Sequence, residues 1–398
     1  MKKYISSEKK LVLNDSFDVI VSGGGPAGCA AAAASAREGA KTLLIEGTGA
    51  LGGMGTSGLV PGWCPFTDGK KIIHKGIAEE VFEKAKAPIA HLTQEQEDGE
   101  WCPIDPEHLK AVYDELVTGY GAEILFHSQV CAVEAIEDNL DHILVANKDG
   151  LTAYRASVYI DCTGDADLVA WSNGRFHKGA DGTGELQPAT HCFILSNIDS
   201  YALRTGPDLF PGRDNRSPIW EILKSPKYNS IIKSPHLCNK MNGHETVGFN
   251  AGHLHDVDGT SAESLSKGMI QGRKIARAFQ SGLAEFHPKA FSHSYLAATA
   301  ELMGIRETRR IIGRYTLTVD DYFARKSFDD EIARNCYGVD IHSNQAQSSK
   351  VKSKEDMLAQ IHRNDSMKGE KYKPGESHGI PYRCLTPERL KNILVAGR

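Results

Sequence analysis

Residues 17–46 read FDVIVSGGGPAGCAAAAASAREGAKTLLIE. Phe17 to Ser22 is short and mostly β-branched or aromatic, the pattern of a strand buried on both faces of a parallel sheet. Glycines follow at once, and Pro26 to Glu38 is alanine-rich, which predicts a helix closed by Gly39 as its C-cap. A second apolar run, Thr42 to Ile45, ends at Glu46. Together they predict a βαβ unit with the glycine turn at the carboxyl edge of a parallel sheet. Gly23-Gly24-Gly25-Pro26-Ala27-Gly28 fits G-x-G-x-x-G between a strand and a helix. Gly23 permits the tight turn, Gly25 lets a pyrophosphate approach the backbone, and Gly28 lets helix and strand pack closely, while Pro26 and Ala27 open a helix whose N-terminus faces the anion. The Glu46 carboxylate suits ribose hydroxyls and repels a 2′-phosphate. A glycine turn without ligand is the bland alternative; strand, helix and acidic residue together favour a dinucleotide.

The rest of the chain is compatible with a small-molecule enzyme. It has 398 residues, a net charge of −5, 40% hydrophobic and 24% charged residues. That excludes disordered and collagen-like classes, and scattered Lys and Arg exclude nucleic acid as the main partner. Nine cysteines include no C-x-x-C pair, so zinc ribbons and dithiol redox pairs fall away, and a cytoplasmic protein with reduced thiols is expected. The first sixteen residues lack the apolar core of a signal peptide, and the longest apolar run, Cys29 to Ala34, is far short of a membrane span. No membrane partner is expected, and a homo-oligomer stays open.

Further along, a long glycine-rich loop covers 47–62, and helices are expected over 75–87 and from Asp105-Pro106 to Tyr120, with a polar excursion at 93–100 between them. Strands are expected at 129–137, 143–148 and 152–161. Beyond residue 188 the chain changes character, with helices from Thr260-Ser261 to Ser281 and from Phe291 into Arg310, and a hydrophilic excursion over 343–376. Asn392 to Arg398 reads as a strand returning to the parallel sheet. The expected organisation is therefore 1–187 as the first part of a cofactor domain, 188–383 as a substrate or cap domain, and 384–398 as the return strand.

The run Arg155 to Asp165 ends in Cys162-Thr163-Gly164 and resembles the second flavin-binding motif of the glutathione-reductase-like FAD superfamily. Gly52-Gly53 resembles the double-glycine loop of its fumarate reductase and succinate dehydrogenase branch. Gly304 to Gly313, Asp340-Ile341-His342, Gly375 to Arg383 and Phe249 to Arg273 resemble a bacterial family of FAD-dependent oxidoreductases, and the likeness runs from about Phe17 to the last residue. It implies an α/β fold: a Rossmann-like FAD-binding domain with a parallel sheet and a β-meander, plus an inserted α+β substrate domain. It implies noncovalent FAD held by Gly23, Gly25, Pro26, Ala27, Gly28, Glu46, Gly52, Gly53, Val130, Thr163, Gly164, Asp165 and Gly397. The implied reaction is hydride transfer between flavin N5 and a small organic substrate, hydroxylated or carbohydrate-derived. A flavin-binding protein without turnover is the alternative. In that superfamily the return strand leads into a further helix, so the sequence also carries the expectation of a C-terminal truncation. After Gly28 no second G-x-G-x-x-G lies between a strand and a helix, so the electron acceptor is expected to be oxygen, a quinone, a second substrate or a partner protein.

For the reacting groups, Arg306, His342 and Arg383 are expected, with His253 and His255 as lesser candidates. Arg306, Arg309 and Arg310 fit equally well as cations at a helix C-terminus. A His253-x-His255 metal pair lacks a third ligand at diagnostic spacing, so no metal is expected. Cys64, after the glycine loop, is either a packed thiol, which is the favoured reading, or a covalent flavin attachment point or reactive thiol.

Overall fold

The computed structural model describes residues 11–342 and 372–397. A five-stranded parallel sheet is ordered β17-β8-β2-β3-β4, with β2 Val19–Ser22, β3 Thr42–Ile45, β4 Glu123–Leu125, β8 Val158–Asp161 and β17 Ile393–Val395. Every pair in it is parallel. β2 and β3 are buried at all positions, which explains their unbroken apolar character. The helix Pro26–Arg37 buries Cys29, Ala32 and Ala33 against this sheet together with the helix Pro106–Gly119. Small alanine side chains let helix and sheet approach closely, and Asp105 caps the second helix by accepting from the Glu107 and His108 N–H groups.

On the other face lies a meander of β5 Gln129–Ile136, β6 Asn139–Asn147 and β7 Gly150–Tyr154, with β1 Val12–Asn14 added parallel to β7. The strand expected over 152–161 is two strands: β7 belongs to the meander and β8 to the parallel sheet. Arg155, Ala156 and Ser157 carry the chain across, and no single straight strand can pair with both sheets. The polar excursion at 93–100 contains a one-turn helix, Gln94–Glu97, closed by a reciprocal capping box between Thr93 and Gln96.

The inserted part is a second layer. β11 Leu237–Gly243, β12 Thr246–Ala251, β10 Phe193–Ser196 and β13 Tyr295–Thr299 form an antiparallel sheet in that order. The long helix Ala262–Phe286 covers it, and Phe193, Phe249, Phe279 and Phe291 fill the space between. The expected helix from Phe291 into Arg310 is not formed. One turn, Pro288–Phe291, is followed by β13 and then by β14 Arg309–Ile311, which pairs with β9 Phe176–Lys178. The Ser294 hydroxyl donates to the Phe291 carbonyl and ends the turn, and β13 gains a ladder with β10 that a helix would forfeit. The three arginines therefore cap no helix. β15 Glu331–Asn335 and β16 His378–Pro381 form a last antiparallel pair. Most of the hydrophilic excursion at 343–376 lies outside the described residues. Among those described, no helix is long and apolar enough to cross a membrane.

Candidate active site

The glycine turn has the geometry its sequence demands. A Cβ on Gly28 would overlap the Gly23 carbonyl oxygen, and one on Gly23, whose φ is +99°, would overlap the Cys162 carbonyl. Those two glycines serve the fold. Gly25 differs: a Cβ there meets no atom within 4 Å, and no side chain caps the helix that begins at Pro26. Open approach to uncapped N–H groups at a helix N-terminus fits an anionic pyrophosphate. Glu46 is fixed by two backbone donors, Gly24 N–H at 2.6 Å on Oε2 and Thr48 N–H at 2.7 Å on Oε1. Each oxygen keeps a second lone pair for a ribose hydroxyl. These residues fit the dinucleotide.

The other cofactor candidates surround this turn. Gly52 and Gly53 both have positive φ, and Gly52 N–H donates to the Gly24 carbonyl at 2.8 Å, docking the second loop on the first. Val130, in β5, is buried in a core cluster that includes Leu43 and Ile45 of β3. Gly397, at φ +117°, follows β17, and a Cβ on it would lie 3.7 Å from Ala27 Cβ. The Thr163-Gly164-Asp165 turn is pinned from both sides. The Thr163 hydroxyl donates to Asp161 at 2.7 Å, and the Thr308 hydroxyl to Asp165 at 2.6 Å. Burial pushes Asp161 up from the usual carboxylate range, and the hydrogen bond from Thr163 works against it. Arg309 reaches the Asp165 carbonyl and the Asp167 carboxylate, at 2.9 and 2.7 Å. Thr308 and Arg309 thus hold the inserted layer to this turn, while Arg310 donates to Glu307 and the Gly179 carbonyl.

A cleft of about 1600 Å³ lies beyond the second glycine loop, lined by Val60 to Gly62, Cys64, Trp101, Ser234, His236, His253, Arg306, Tyr337, Asp340 and His342. Arg306 donates to the Pro188 carbonyl at 2.6 Å, to Thr190 Oγ1 at 2.7 Å and to His236 Nε2 at 3.3 Å. A guanidinium only donates, so His236 accepts through Nε2 and is neutral. His236 and His253 stack at 4.4 Å, and His342 stands nearly perpendicular to both. Burial first, then Arg306 and the neighbouring rings, hold His236 and His253 well below the usual histidine range.

The structure thus gathers Arg306, His253 and His342. His255 lies 6.0 Å from His253 ring to ring and does not line the cleft. Arg383 does not line it either; its Nε donates to Asp330 at 2.9 Å and its guanidinium lies over Tyr315. Cys64 reaches the cleft, but desolvation and the Asp340 carboxylate push its thiol up to about 11, the opposite of an activated nucleophile. His236 and Ser234 were not singled out by sequence. The signal was a hairpin: β11 pairs with β12, Leu237 opposite Ala251, and Gly252 N–H donates to the His236 carbonyl. That register puts His236 beside His253.

Among solved structures, the chain is similar to AlpK, with 12% identity and a TM-score of 0.43, covering 76% of this chain and 55% of that one. It is also similar to a geranylgeranyl bacteriochlorophyll reductase-like protein from Thermoplasma acidophilum, with 15% identity and a TM-score of 0.42, covering 74% of this chain and 66% of that one. A third is p-nitrophenol 4-monooxygenase PnpA from Pseudomonas putida DLL-E4, with 11% identity and a TM-score of 0.41, covering 77% and 71%. The chain therefore spans about half to two thirds of the length of the first two. The profile of the family described as FAD dependent oxidoreductase matches residues 18–398, and the chain belongs to that family, with FAD as its cofactor.

Proposed function

We propose that this chain oxidises a small hydroxylated compound bearing an anionic group, such as a hydroxy acid or an acidic sugar derivative. The observation that carries the reading is Arg306: a largely buried guanidinium on the cleft wall whose partners are a carbonyl, a hydroxyl and a neutral imidazole. Among the described residues no carboxylate lies within ion-pair distance of it. Asp340 acts on it only from beyond contact distance; a desolvated charge without a contacting counterion is costly, and an incoming carboxylate or phosphate removes that cost. Bidentate donation by the guanidinium would also orient the substrate.

FAD, when bound, supplies a two-electron acceptor for hydride. Gly23 to Gly28, Glu46, Gly52, Gly53, Val130, Thr163 to Asp165 and Gly397 are the residues proposed to hold it, without a covalent bond. The chain's own groups do the rest. Arg306 anchors the anion, and the hydrogen-bonded wall of Ser234 and neutral histidines takes up the hydroxyl proton. Residues 188–383 are proposed as the substrate domain. The reading includes a cytoplasmic setting, no nucleic acid or membrane partner, and reoxidation by something other than a nicotinamide. Arg383 and His255 are not assigned a role in the cleft.

The test is an anaerobic panel of hydroxy acids and their uncharged analogues, followed at the flavin absorbance maximum. Acidic members should bleach the flavin, and Arg306→Ala should raise their KM at least about tenfold, a loss of about 1.4 kcal/mol. Bleaching by neutral analogues alone, unaffected by Arg306→Ala, would refute the reading. Tight flavin with no bleaching by any member would favour a flavoprotein without turnover.

A further inference from the structure

Polar side chains along one wall of the cleft form a continuous series. Ser234 Oγ lies 3.1 Å from His253 Nδ1, and His253 Nε2 lies 3.1 Å from His342 Nδ1. His342 Nε2 faces Asp340 Oδ1 at 3.6 Å, just outside direct hydrogen-bond range and within reach of a small side-chain shift, and Tyr337 donates to Asp340 Oδ2 at 3.0 Å. With Asp340 ionised, one pattern gives every contact a donor and an acceptor. His342 Nε2–H faces Asp340, His253 Nε2–H donates to His342 Nδ1, and the Ser234 hydroxyl donates to His253 Nδ1. The backbone N–H of His236 donates to Ser234 Oγ at 3.2 Å, and Oγ keeps one lone pair for a further donor.

The two ends differ in access. Ser234 is 2% exposed, whereas the Asp340 side chain is 33% exposed. Around the series stand His236, Arg306 and His255 on the inner side, and Cys64 and Tyr337 near Asp340. Desolvation and the nearby positive guanidinium keep His253 neutral, so a proton arriving there is passed on rather than stored.

The same rings invite a metal reading, because one nitrogen from each of His236, His253 and His342 lies within 4.8 Å of the others. Ring geometry opposes it. His236 and His253 are stacked with only 15° between their planes, so the two planes meet only far beyond ligand-bond reach of either ring, whereas a shared ion lies close to the plane of each ring that binds it.

We propose that Ser234, His253, His342 and Asp340 form a proton relay that carries the substrate's hydroxyl proton from the buried wall of the cleft to solvent. This rests on the reading of a hydroxylated substrate given above. The substrate O–H bond breaks and its proton goes to Ser234 Oγ as the serine's own proton goes to His253 Nδ1. The His253 Nε2 proton moves to His342 Nδ1, and the His342 Nε2 proton moves to Asp340, which releases it to water. Each relay group gains one proton and loses one. FAD, when bound, would accept the C–H electron pair as hydride and leave a carbonyl product, so the relay handles the proton alone.

The test is histidine-selective ¹⁵N NMR on the full chain, with and without bound FAD, and needs no substrate. His253 should be neutral from pH 8 to 5, protonated on Nε2 and bare on Nδ1, with a protected Nε2 proton. Asp340→Asn keeps an acceptor oxygen but cannot take the proton. It should slow exchange of the His253 Nε2 proton with water at least about tenfold and leave both tautomers unchanged. A doubly protonated His253 at pH 7, the opposite tautomer, or an exchange rate unmoved by Asp340→Asn would overturn the relay. Should Asp340→Asn not fold, the wild-type tautomer pattern still decides. Stoichiometric Zn²⁺ uptake with loss of these protons would overturn it in favour of a metal. A flavin that no hydroxylated compound bleaches, with the tautomer pattern intact, refutes the substrate reading instead.

Discussion

Lowering the pH from 7 to 5 should destabilise this protein through His236 and His253 before its carboxylates titrate. Both imidazoles are half-buried on the cleft wall, and their desolvation holds them well below the usual histidine value of about 6.5. In the unfolded chain they take up protons as the pH falls through about 6.5, while in the folded protein they do not. A group with a depressed folded pKa of this kind gives stability that is full above about 6.5 and is lost as the pH falls toward the folded value. Between pH 7 and 5 the loss is about 1.9 kcal/mol for each histidine, or about 4 kcal/mol for both, against a total of 5–15 kcal/mol for a typical protein. Carboxylates with lowered values, such as Asp214 at about 2, lose their contribution as the pH falls from the ordinary carboxylate value toward the folded one, below the window from pH 7 to 5. Asp161 and Asp167, raised mainly by burial, act in the opposite sense. The assay is urea unfolding of the wild type, His236→Asn and His253→Asn at both pH values, comparing slopes rather than absolute stabilities. Each variant should lose about 1.9 kcal/mol less than the wild type between pH 7 and 5. Equal losses in all three would show that these rings titrate normally and that the cleft wall is wetter than its geometry indicates.

Gly28→Ala places a methyl on the Gly23 carbonyl oxygen and should cost about 3 kcal/mol or more, read as a lower thermal midpoint. Phe249→Ala empties the centre of the inserted core and should cost about 3–5 kcal/mol; because β12 leads directly into His253, hydrogen exchange at the cleft wall should rise as well. Arg309→Met leaves the largely buried Asp167 carboxylate without its partner and should cost about 3 kcal/mol at pH 7. That deficit should shrink as the pH falls, since the unpaired acid can then protonate in place.

What the sequence disclosed was local chemistry. The glycine turn, the alanine-rich helix and the Asp105 cap each depend on residues a few positions apart, so their patterns were readable and the structure contains them. The same reasoning failed where distant chain decided the outcome. Residues 291–310 carry good helix formers, but β13 finds its ladder on β10, a hundred positions earlier, and Arg309 finds Asp165 across 144 positions. Arg306 was noticed as a cation, yet its role on the cleft wall depends on Pro188, Thr190 and His236. No spacing rule joins His236 to His253; the β11–β12 register does.

The most direct test of the account is FAD binding by Gly25→Val. Space around Gly25 is open and its φ of −68° is one any residue adopts, so the variant should fold with an unchanged thermal midpoint in the absence of cofactor. Its side chain would stand where the backbone must admit the pyrophosphate. Equilibrium titration of flavin-free protein should give one FAD per chain for the wild type, with affinity at least about tenfold weaker in Gly25→Val, a loss of about 1.4 kcal/mol. Equal affinity in the two proteins would contradict the claim that this turn holds FAD.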